Sequence, residues 1–518
     1  MSNSRRNFLK QAVVGGAMLQ TGRVARAAES IGGPTEKKRR PLNLLLVFPD
    51  EMRAQAQQFM QMDPSLTPNI DRFARESCVM RQMVSNYPLC TPARGSFMTG
   101  QYPIRDGMTG NAHSYGALVG IDLPRSEHCW SDVLKEQGYA LGYVGKWHLD
   151  APYAPYVKSY NNPVHGIKWN EWTPPDRRHG FDFWYSYGTY DLHLTPMYWT
   201  NDTDRDHPIH INQWEPEHDA DIAIRYLKNE GGKYRDPAKP FALVVSMNPP
   251  HSPYNQVPQK YLDLYKDKTA RELNPGPTVD WDKKYPSHLG PQNMNSYLAM
   301  VSGVDEQFGR ILQELDKQGL SNDTLVVFFS DHGCCMGAHG EPTKNVPFEE
   351  SMRIPMMFRL PGVIPAHNDD LLMSMPDLYP TMLGLLGFSK EVPATVEGTD
   401  WSARVRTGKG SEATSQLYLY IPYGGSSFGK RGVRTHEYTL VVERKNKQPL
   451  KYVLYDNLHD RYQQKDIAAD NAALIAKLVK SELDPWLEKT GDSWRPEPFD
   501  TDGYKATRAL AMSSSTDS

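Results

Sequence analysis

Four strand-length stretches of the chain are predominantly apolar: Leu42–Phe48, Leu141–Gly145, Phe241–Met247 and Thr324–Ser330. None shows the alternation of a strand with one wet face, so each suits a strand buried on both sides in a parallel sheet covered by helices. Between them the apolar residues recur at intervals of three and four. From Asn295 to Gln318 the residues Leu298, Val301, Val304, Phe308, Ile311, Leu312 and Leu315 mark one helical face, and Gly319 stops the helix just before the fourth run. A second helix starts at Thr67-Pro68, with Ile70, Phe73 and Ala74 on one side. Alternation of this kind predicts an α/β fold. The stretch Lys390–Ser415, rich in Gly, Thr, Ser and charge, is expected to be a linker. Beyond it, "QLYLYI", "RGVRTHEYTLVVE" and "KYVLYD" predict a small antiparallel sheet, followed by a helix over about Asn471–Leu487. The expected organisation is a catalytic domain over 41–410, an α+β subdomain over 411–500 and a compositionally disordered tail over 501–518.

Each apolar run gives way to polar, chemically capable residues. The first leads to Pro49-Asp50-Glu51, the second to Lys146-Trp147-His148, the third to Asn248-Pro249-Pro250-His251 and the fourth to Asp331-His332-Gly333. In open α/β sheets the ligand sits at the carboxyl ends of the strands, so these four ends predict one site. Cys90 stands just before Thr91-Pro92, a cap and first helical residue, and Gly100 closes the short helix. A helix start favours negative charge, and Arg94, one turn on, adds a fixed cation. No base for a thiol nucleophile is visible in this stretch.

Composition narrows the class. The 518 residues carry a net charge of -3, which argues against a nucleic-acid binder driven by counterion release. The basic cluster Lys37-Lys38-Arg39-Arg40 is expected to be a solvated linker, within 28–40. Five cysteines, with Cys334-Cys335 adjacent and no C-x-x-C, fit neither a disulfide scaffold nor a zinc site, and Cys78 and Cys129 are expected to be buried as small apolar residues. "SRRNFLK", a short apolar stretch and Ala25-Arg26-Ala27 form a signal peptide over 1–27, and Arg5-Arg6 resembles a twin-arginine export signal. The expected partner is therefore the twin-arginine export machinery, and the expected location periplasmic or secreted. Trp169, Trp172, Trp184, Trp199 and Trp214 either form a platform for sugar rings or stitch a loop to the core.

"CTPARGSFMTG" resembles the signature of the type I, formylglycine-dependent sulfatases of the alkaline phosphatase superfamily. "LLLVFPDE", "VGKWHLD", "PPHSPY", "FFSDHG" with "GAHG", Lys344, "EESMRIPMMFRLPG" and "LYDN" resemble further elements of that family, in the same order. The resemblance implies an alkaline-phosphatase-like, mostly parallel sheet and hydrolysis of a sulfate ester. It implies that a formylglycine-generating enzyme converts Cys90 to 3-oxoalanine, whose hydrate is the nucleophile, which explains the missing thiol base. Asp50, Glu51, Cys90, Asp331 and His332 would hold one divalent cation, calcium first by resemblance, with manganese or magnesium as alternatives. Arg94 would stabilise the attacking hydroxyl, and Lys146, His251 and Lys344 would neutralise the sulfuryl oxygens. One of the nearby histidines, His251 before the other, would protonate the leaving alcohol, while His148 would take a proton from the hydrate; His339 is given a supporting place. Two departures stand out: Asp50-Glu51 and Asp331-His332 replace the family's more usual Asp-Asp and Asp-Asn pairs, and Asp150 replaces a glycine.

The Asp-His pair also resembles the phosphonate monoester hydrolase and choline-sulfatase branch, so phosphonate or phosphate ester hydrolysis is one alternative. A sulfated-glycan binding protein with Cys90 unconverted is another. The export signal and the aromatic loop favour a sulfated carbohydrate as substrate over a simple aryl sulfate.

Overall fold

The computed structural model describes residues 41–423 and 427–494. The signal-peptide and linker expectations over 1–40 and the expected tail over 501–518 lie outside the described residues.

Each of the four apolar runs is a buried strand: β1 (Asn43–Pro49), β3 (Ala140–Lys146), β7 (Phe241–Met247) and β8 (Thr324–Phe329). They lie side by side in the centre of a ten-stranded sheet of order β10-β2-β9-β8-β1-β7-β3-β4-β5-β6. The flanking strands are β2 (Cys78–Met80), β4 (Phe183–Tyr187), β5 (Met197–Thr200), β6 (Ile209–His210), β9 (Met356–Arg359) and β10 (His367–Asp369). The pairings β8-β1, β1-β7, β7-β3 and β3-β4 are all parallel, while β8-β9 and β4-β5 are antiparallel. This is the mixed, mostly parallel α/β sheet that the sequence predicts.

The predominantly apolar runs follow from having a core on each face. Leu44, Leu46 and Phe48 join one cluster with Phe97 of helix α2 (Cys90–Thr99) and with Leu378 and Met382 of α5 (Leu378–Leu386). Leu45 and Val47 join the other, with Tyr226 of α3 (Glu215–Lys228) and Leu298, Val301, Phe308 and Leu315 of α4 (Met294–Lys317). Helix α1 (Pro68–Arg75) places Ile70 and Phe73 in that second cluster.

Two expectations are corrected. The segment 390–415 is not a linker: it contains a helix, Ser402–Thr407, and Trp401 and Val405 belong to the first core cluster, 6% and 0% exposed. Its polar residues had masked two apolar anchors spaced at a helical interval of four. We expect Trp401→Ala to lower stability by about 3–5 kcal/mol, the usual range for deleting a buried tryptophan, seen as a lower urea midpoint. The C-terminal helix is also not continuous. It runs as α6 (Ala472–Leu478), a π-helical turn (Val479–Leu483) and α7 (Asp484–Lys489). Pro485 lacks the N–H that would bond back into an unbroken α-helix, and the wider turn just before it absorbs the defect.

The small sheet consists of β11 (Gln416–Tyr420), β12 (Gly429–Arg434), β13 (Tyr438–Arg444) and β14 (Lys451–Asp456), antiparallel throughout. One face packs on Ile475, Leu483 and Leu487 together with Tyr87 and Tyr102, close in sequence to Cys90. From the other face, Tyr418 and Val441 contact Val84 and Met352. The small sheet is thereby fastened beside the helix that carries Cys90.

Candidate active site

Because β8, β1, β7 and β3 are parallel neighbours, their carboxyl ends open onto one place. Asp50 follows β1, and its N–H bonds the Met247 carbonyl of β7 at 2.9 Å. Lys146 ends β3, Asn248 follows β7, and Asp331 comes two residues after β8. The residue before Lys146 must be glycine: Gly145 has φ +95, and a Cβ there would fall 2.1 Å from the Ser246 carbonyl oxygen. Strands β3 and β7 can approach this closely only without a side chain.

Asp50 is the hub. It accepts from Lys146 Nζ at 2.6 Å and Arg94 Nη2 at 3.1 Å, and its other oxygen lies 3.4 Å from His332 Nε2. Arg94 is a clamp on the acids: Nε donates to Asp331 at 3.1 Å, and Nη1 to the Lys146 carbonyl at 2.8 Å and Ser246 Oγ at 2.9 Å. Asp331 also accepts the backbone N–H groups of Glu51 and His332, at 3.1 and 2.9 Å. The sulfur of Cys90 is surrounded by His332 Nε2 at 3.3 Å, Lys344 Nζ at 3.5 Å and Asp50 Oδ1 at 3.7 Å.

Cys90 begins its helix as expected, but Thr91 is not the cap. The helix starts at Cys90, Leu89 precedes it in extended conformation, and Gly100 closes it with φ 67. Thr91 Oγ1 instead donates to the His148 carbonyl at 2.8 Å and accepts from Ala112 N–H at 3.0 Å. Its hydroxyl ties neighbouring loops together rather than ending the helix.

Ligand atoms of Asp50, Cys90, Asp331 and His332 all lie within 4.8 Å of one another, so these four converge as a cation-binding group would. His332 Nδ1 donates to the Gly333 carbonyl at 3.0 Å, so Nε2 is the ring nitrogen turned to the cluster. Glu51 groups differently, with Asp50 and His251. Its backbone is left-handed, φ 71, and its carboxylate accepts from Lys344 Nζ at 2.8 Å and Tyr254 Oη at 3.3 Å, with His251 Nε2 at 3.5 Å. His148 is left-handed too, φ 55. Two strained backbones among the site residues, worth about 1–3 kcal/mol each, are held by the surrounding bonds; the Glu51 carbonyl, for one, accepts from Tyr297 Oη at 3.0 Å.

The charges settle one another. Burial alone would push Asp50 up, but Lys146, Lys344, His251 and His332 hold it well below the usual carboxylate range. Burial and the neighbouring Asp50 push Asp331 up to about 6 against His332 and Arg94. Burial, the largest influence, lowers His332, and Lys344 adds to it, yet Asp331 and the Cys90 sulfur together raise the ring to about 9. Burial and Asp50 would raise the Cys90 thiol, but Lys344, Lys146 and His332 together bring it well below its ordinary value. A position that stabilises an anion so strongly is suited to a developing oxyanion.

The two catalytic histidine candidates are tuned apart. His148 is buried with neither ring nitrogen in a hydrogen bond among the described residues, and burial lowers its basicity. His251 is 17% exposed, and Nδ1 donates to the Ser252 carbonyl at 2.6 Å. Burial, Lys344 and Lys146 oppose its charge, but Glu51 and Asp50 raise it overall. All the expected site residues thus come together, with Glu51 and His251 on one flank and His148 on the other. His339 stacks on Phe348 at 3.6 Å and faces Glu350 instead.

Sequence reasoning missed several supports. Asn248 accepts from Lys146 Nζ at 3.0 Å and donates to Asp191, which lies 3.7 Å from His251 Nδ1. Asn248 had a signal, its place straight after an apolar run; Asp191 sits in an irregular loop with none. Glu215 pairs with His193 at 2.8 Å, and His193 donates to the His251 carbonyl at 3.0 Å, a buried strut under that turn. Of the two readings of the tryptophans, the stitching one holds for Trp184, Trp199 and Trp214, which are buried, while Trp172 is half-buried. Trp169 flanks the site, with its ring 6.2 Å from that of His148.

Cations gathered over an acidic cluster, at the carboxyl edge of an alkaline-phosphatase-like sheet, define a hydrolase of tetrahedral oxyanion esters. Comparison with known proteins fixes which one. The Sulfatase family model matches residues 42–388, and the chain belongs to the formylglycine-dependent sulfatases of the alkaline phosphatase superfamily; it is a sulfuric ester hydrolase. A second model, N-sulphoglucosamine sulphohydrolase, C-terminal, matches residues 337–489. The chain is 37% identical to an endo-4-O-sulfatase of Bacteroides thetaiotaomicron, over 89% of this chain and 94% of that protein. It is 30% identical to an ulvan-active sulfatase of Formosa agariphila, over 88% and 83%. The crystal structure of yidJ from Bacteroides fragilis has a TM-score of 0.84 and 43% identity, covering 88% of this chain and 98% of that one.

Proposed function

We propose that this chain is an exported sulfatase that removes sulfate from a carbohydrate, with position 90 converted to formylglycine and one divalent cation in the acidic cluster. The observation that carries the reading is the ring of Lys344, His332 and Asp50 around Cys90 Sγ, the atom that stands in for the formylglycine oxygen. The likeness to sulfatases named for carbohydrate substrates supports the sugar.

The donor set fits a divalent cation: Asp50, Asp331 and His332 Nε2 would hold it, and it would supply fixed positive charge against the sulfuryl oxygens. An imidazole in place of a fourth oxygen donor is unusual for calcium or magnesium, which prefer oxygen, and suits softer divalent metals better. Formylglycine would supply a hydrated aldehyde, an oxygen nucleophile that can later leave by collapse to the carbonyl. Arg94 holds both acids in place. Lys146, buried, and Lys344, partly exposed, are both held charged by their acidic neighbours and face the oxyanion. His251, raised and with Nδ1 anchored, is the group that donates a proton from Nε2 to the leaving alcohol. His148, lowered and unencumbered, takes a proton at a ring nitrogen. Environments that push two histidines apart in this way assign the acid and the base.

The test is mass spectrometry of the peptide spanning Cys90, from protein made with a formylglycine-generating enzyme and routed through twin-arginine export, alongside sulfate release from sulfated polysaccharides. A peptide lighter by about 18 Da, as thiol-to-aldehyde oxidation requires, together with sulfate release, is the expected outcome. An unmodified cysteine with glycan binding and no turnover would replace the proposal with a binding protein. His332 keeps a second reading alive, and faster turnover of phosphonate monoesters than of sulfates would favour it.

A further inference from the structure

A cavity opens beside Lys344, a residue of its wall that also touches Cys90. It holds about 830 Å³ and is walled by Lys344, Tyr420, Tyr423, Phe428, Lys430 and Glu443, among others, so most of its named wall comes from the small sheet and its loops. One side chain in that wall is tightly constrained. Tyr423 is 49% exposed and lays its ring on Gly110, where an added Cβ would fall 2.5 Å from a ring carbon.

The hydroxyl of Tyr423 has a defined direction. His113, buried, accepts at Nδ1 from the backbone N–H groups of Tyr115 at 3.2 Å and Gly116 at 3.0 Å. Burial, and His148 after it, lower this histidine to about 4, so near neutral pH the ring carries one proton. That proton must sit on Nε2, which donates to Tyr423 Oη at 2.9 Å. The Asn111 N–H donates to the same oxygen at 2.9 Å. Two N–H donors fill the acceptor sites of the phenol oxygen, so its own O–H points elsewhere, towards the cavity it lines.

The loop that orients Tyr423 is bonded to the catalytic turn. Asn111 Oδ1 accepts from the Thr91 N–H at 3.2 Å, and Thr91 Oγ1 bridges Ala112 N–H and the His148 carbonyl. The Trp169 ring lies 4.7 Å from His113 and 6.2 Å from His148, filling the space between them. A side chain from the C-terminal region is in this way held in register with both Cys90 and His148.

We propose that Tyr423 is a substrate-contacting, specificity-setting residue that donates its hydroxyl proton to an uncharged oxygen of the sugar bearing the ester. This rests on the reading of the substrate as a carbohydrate. The sulfate's charge is matched by Lys146, His251 and Lys344, whereas a neutral, oriented O–H at the half-exposed mouth suits a hydroxyl or carbonyl oxygen next to the sulfated carbon. A site built to bond such an oxygen discriminates against substrates that lack it, because its own donor is then left unmatched.

The experiment compares Tyr423→Phe with the wild type, both as full-length converted enzyme, on 4-nitrophenyl sulfate and on a panel of sulfated disaccharides. Phenylalanine keeps the ring on Gly110, and thermal melts of both proteins verify folding. For the best disaccharide, kcat/KM is expected to fall by about 10–100-fold, with less than about 3-fold change on the aryl ester. His113→Ala, which releases the orientation but leaves the hydroxyl, should show a smaller loss with the same selectivity. An unchanged Tyr423→Phe on sulfated sugars overturns this inference alone. Equal losses on both substrates also overturn it, by placing the hydroxyl on the sulfate. A wild type that hydrolyses only the aryl ester overturns the carbohydrate reading and this inference with it.

Discussion

Cys90→Ala is expected to leave no measurable sulfate release, a loss of ~10⁴-fold or more, in a protein that still folds. The size follows from the role: removing a covalent nucleophile from a cooperating set removes nearly all the rate the set provides. Folding survives because the change is small and the neighbours keep other partners. Lys344 retains Glu51 at 2.8 Å, and His332 retains the Gly333 carbonyl at 3.0 Å. The position is 1% exposed and begins a helix, where alanine is tolerated. Turnover on the best sulfated substrate and a thermal melt check both halves. A variant keeping more than about 1% of wild-type turnover would remove the nucleophile from position 90 and with it the formylglycine mechanism.

Asp50→Ala combines a catalytic loss with a structural one. Lys146 and Arg94, 0% and 2% exposed in their side chains, both pair with this carboxylate. Breaking a buried pair by removing one partner costs about 3–5 kcal/mol, because a charge is left uncompensated in a low-dielectric site. The lower end applies here: Lys146 keeps Asn248 at 3.0 Å, and Arg94 keeps Asp331 at 3.1 Å. Activity should fall ~10³-fold or more, since the same carboxylate is shared by the cation-binding group and its supports. Asp50→Asn separates the effects: its side-chain oxygen can still accept from Lys146, so part of the stability returns while activity does not. Urea unfolding, metal content and sulfate release distinguish the outcomes. An alanine variant that binds metal and turns over within about tenfold of wild type would displace Asp50 from the centre of the site.

The strand ends were legible in the sequence because each follows an apolar run whose physical cause is burial on both faces of the sheet. Leu44 and Leu45, neighbours in sequence, enter opposite cores, and only a central parallel strand demands apolar residues at both. Asp50, Lys146, His251 and Asp331 then lie together because parallel strands point the same way. Cys90 was legible from its helix start, and Lys344 only through family resemblance, since a lysine in a loop carries no periodic signal. Trp401 and Val405 were hidden in a polar stretch, and three tryptophans of the aromatic loop turned out to be core.

The sequence by itself determined the parallel sheet, the four strand ends and the residue types at the site, because burial and chain direction are local constraints repeated along the chain. Only the tertiary structure decided which partners those residues take. The backbone turn at Glu51 points its carboxylate at Lys344 and away from the Asp331-His332 pair. Arg94 spends its guanidinium on two acids and two strand ends. Tyr423 meets His113 and Asn111 across more than three hundred residues of sequence. Hydrogen-bond direction and pairing depend on what the fold places opposite each group, and nothing along the chain encodes that distance.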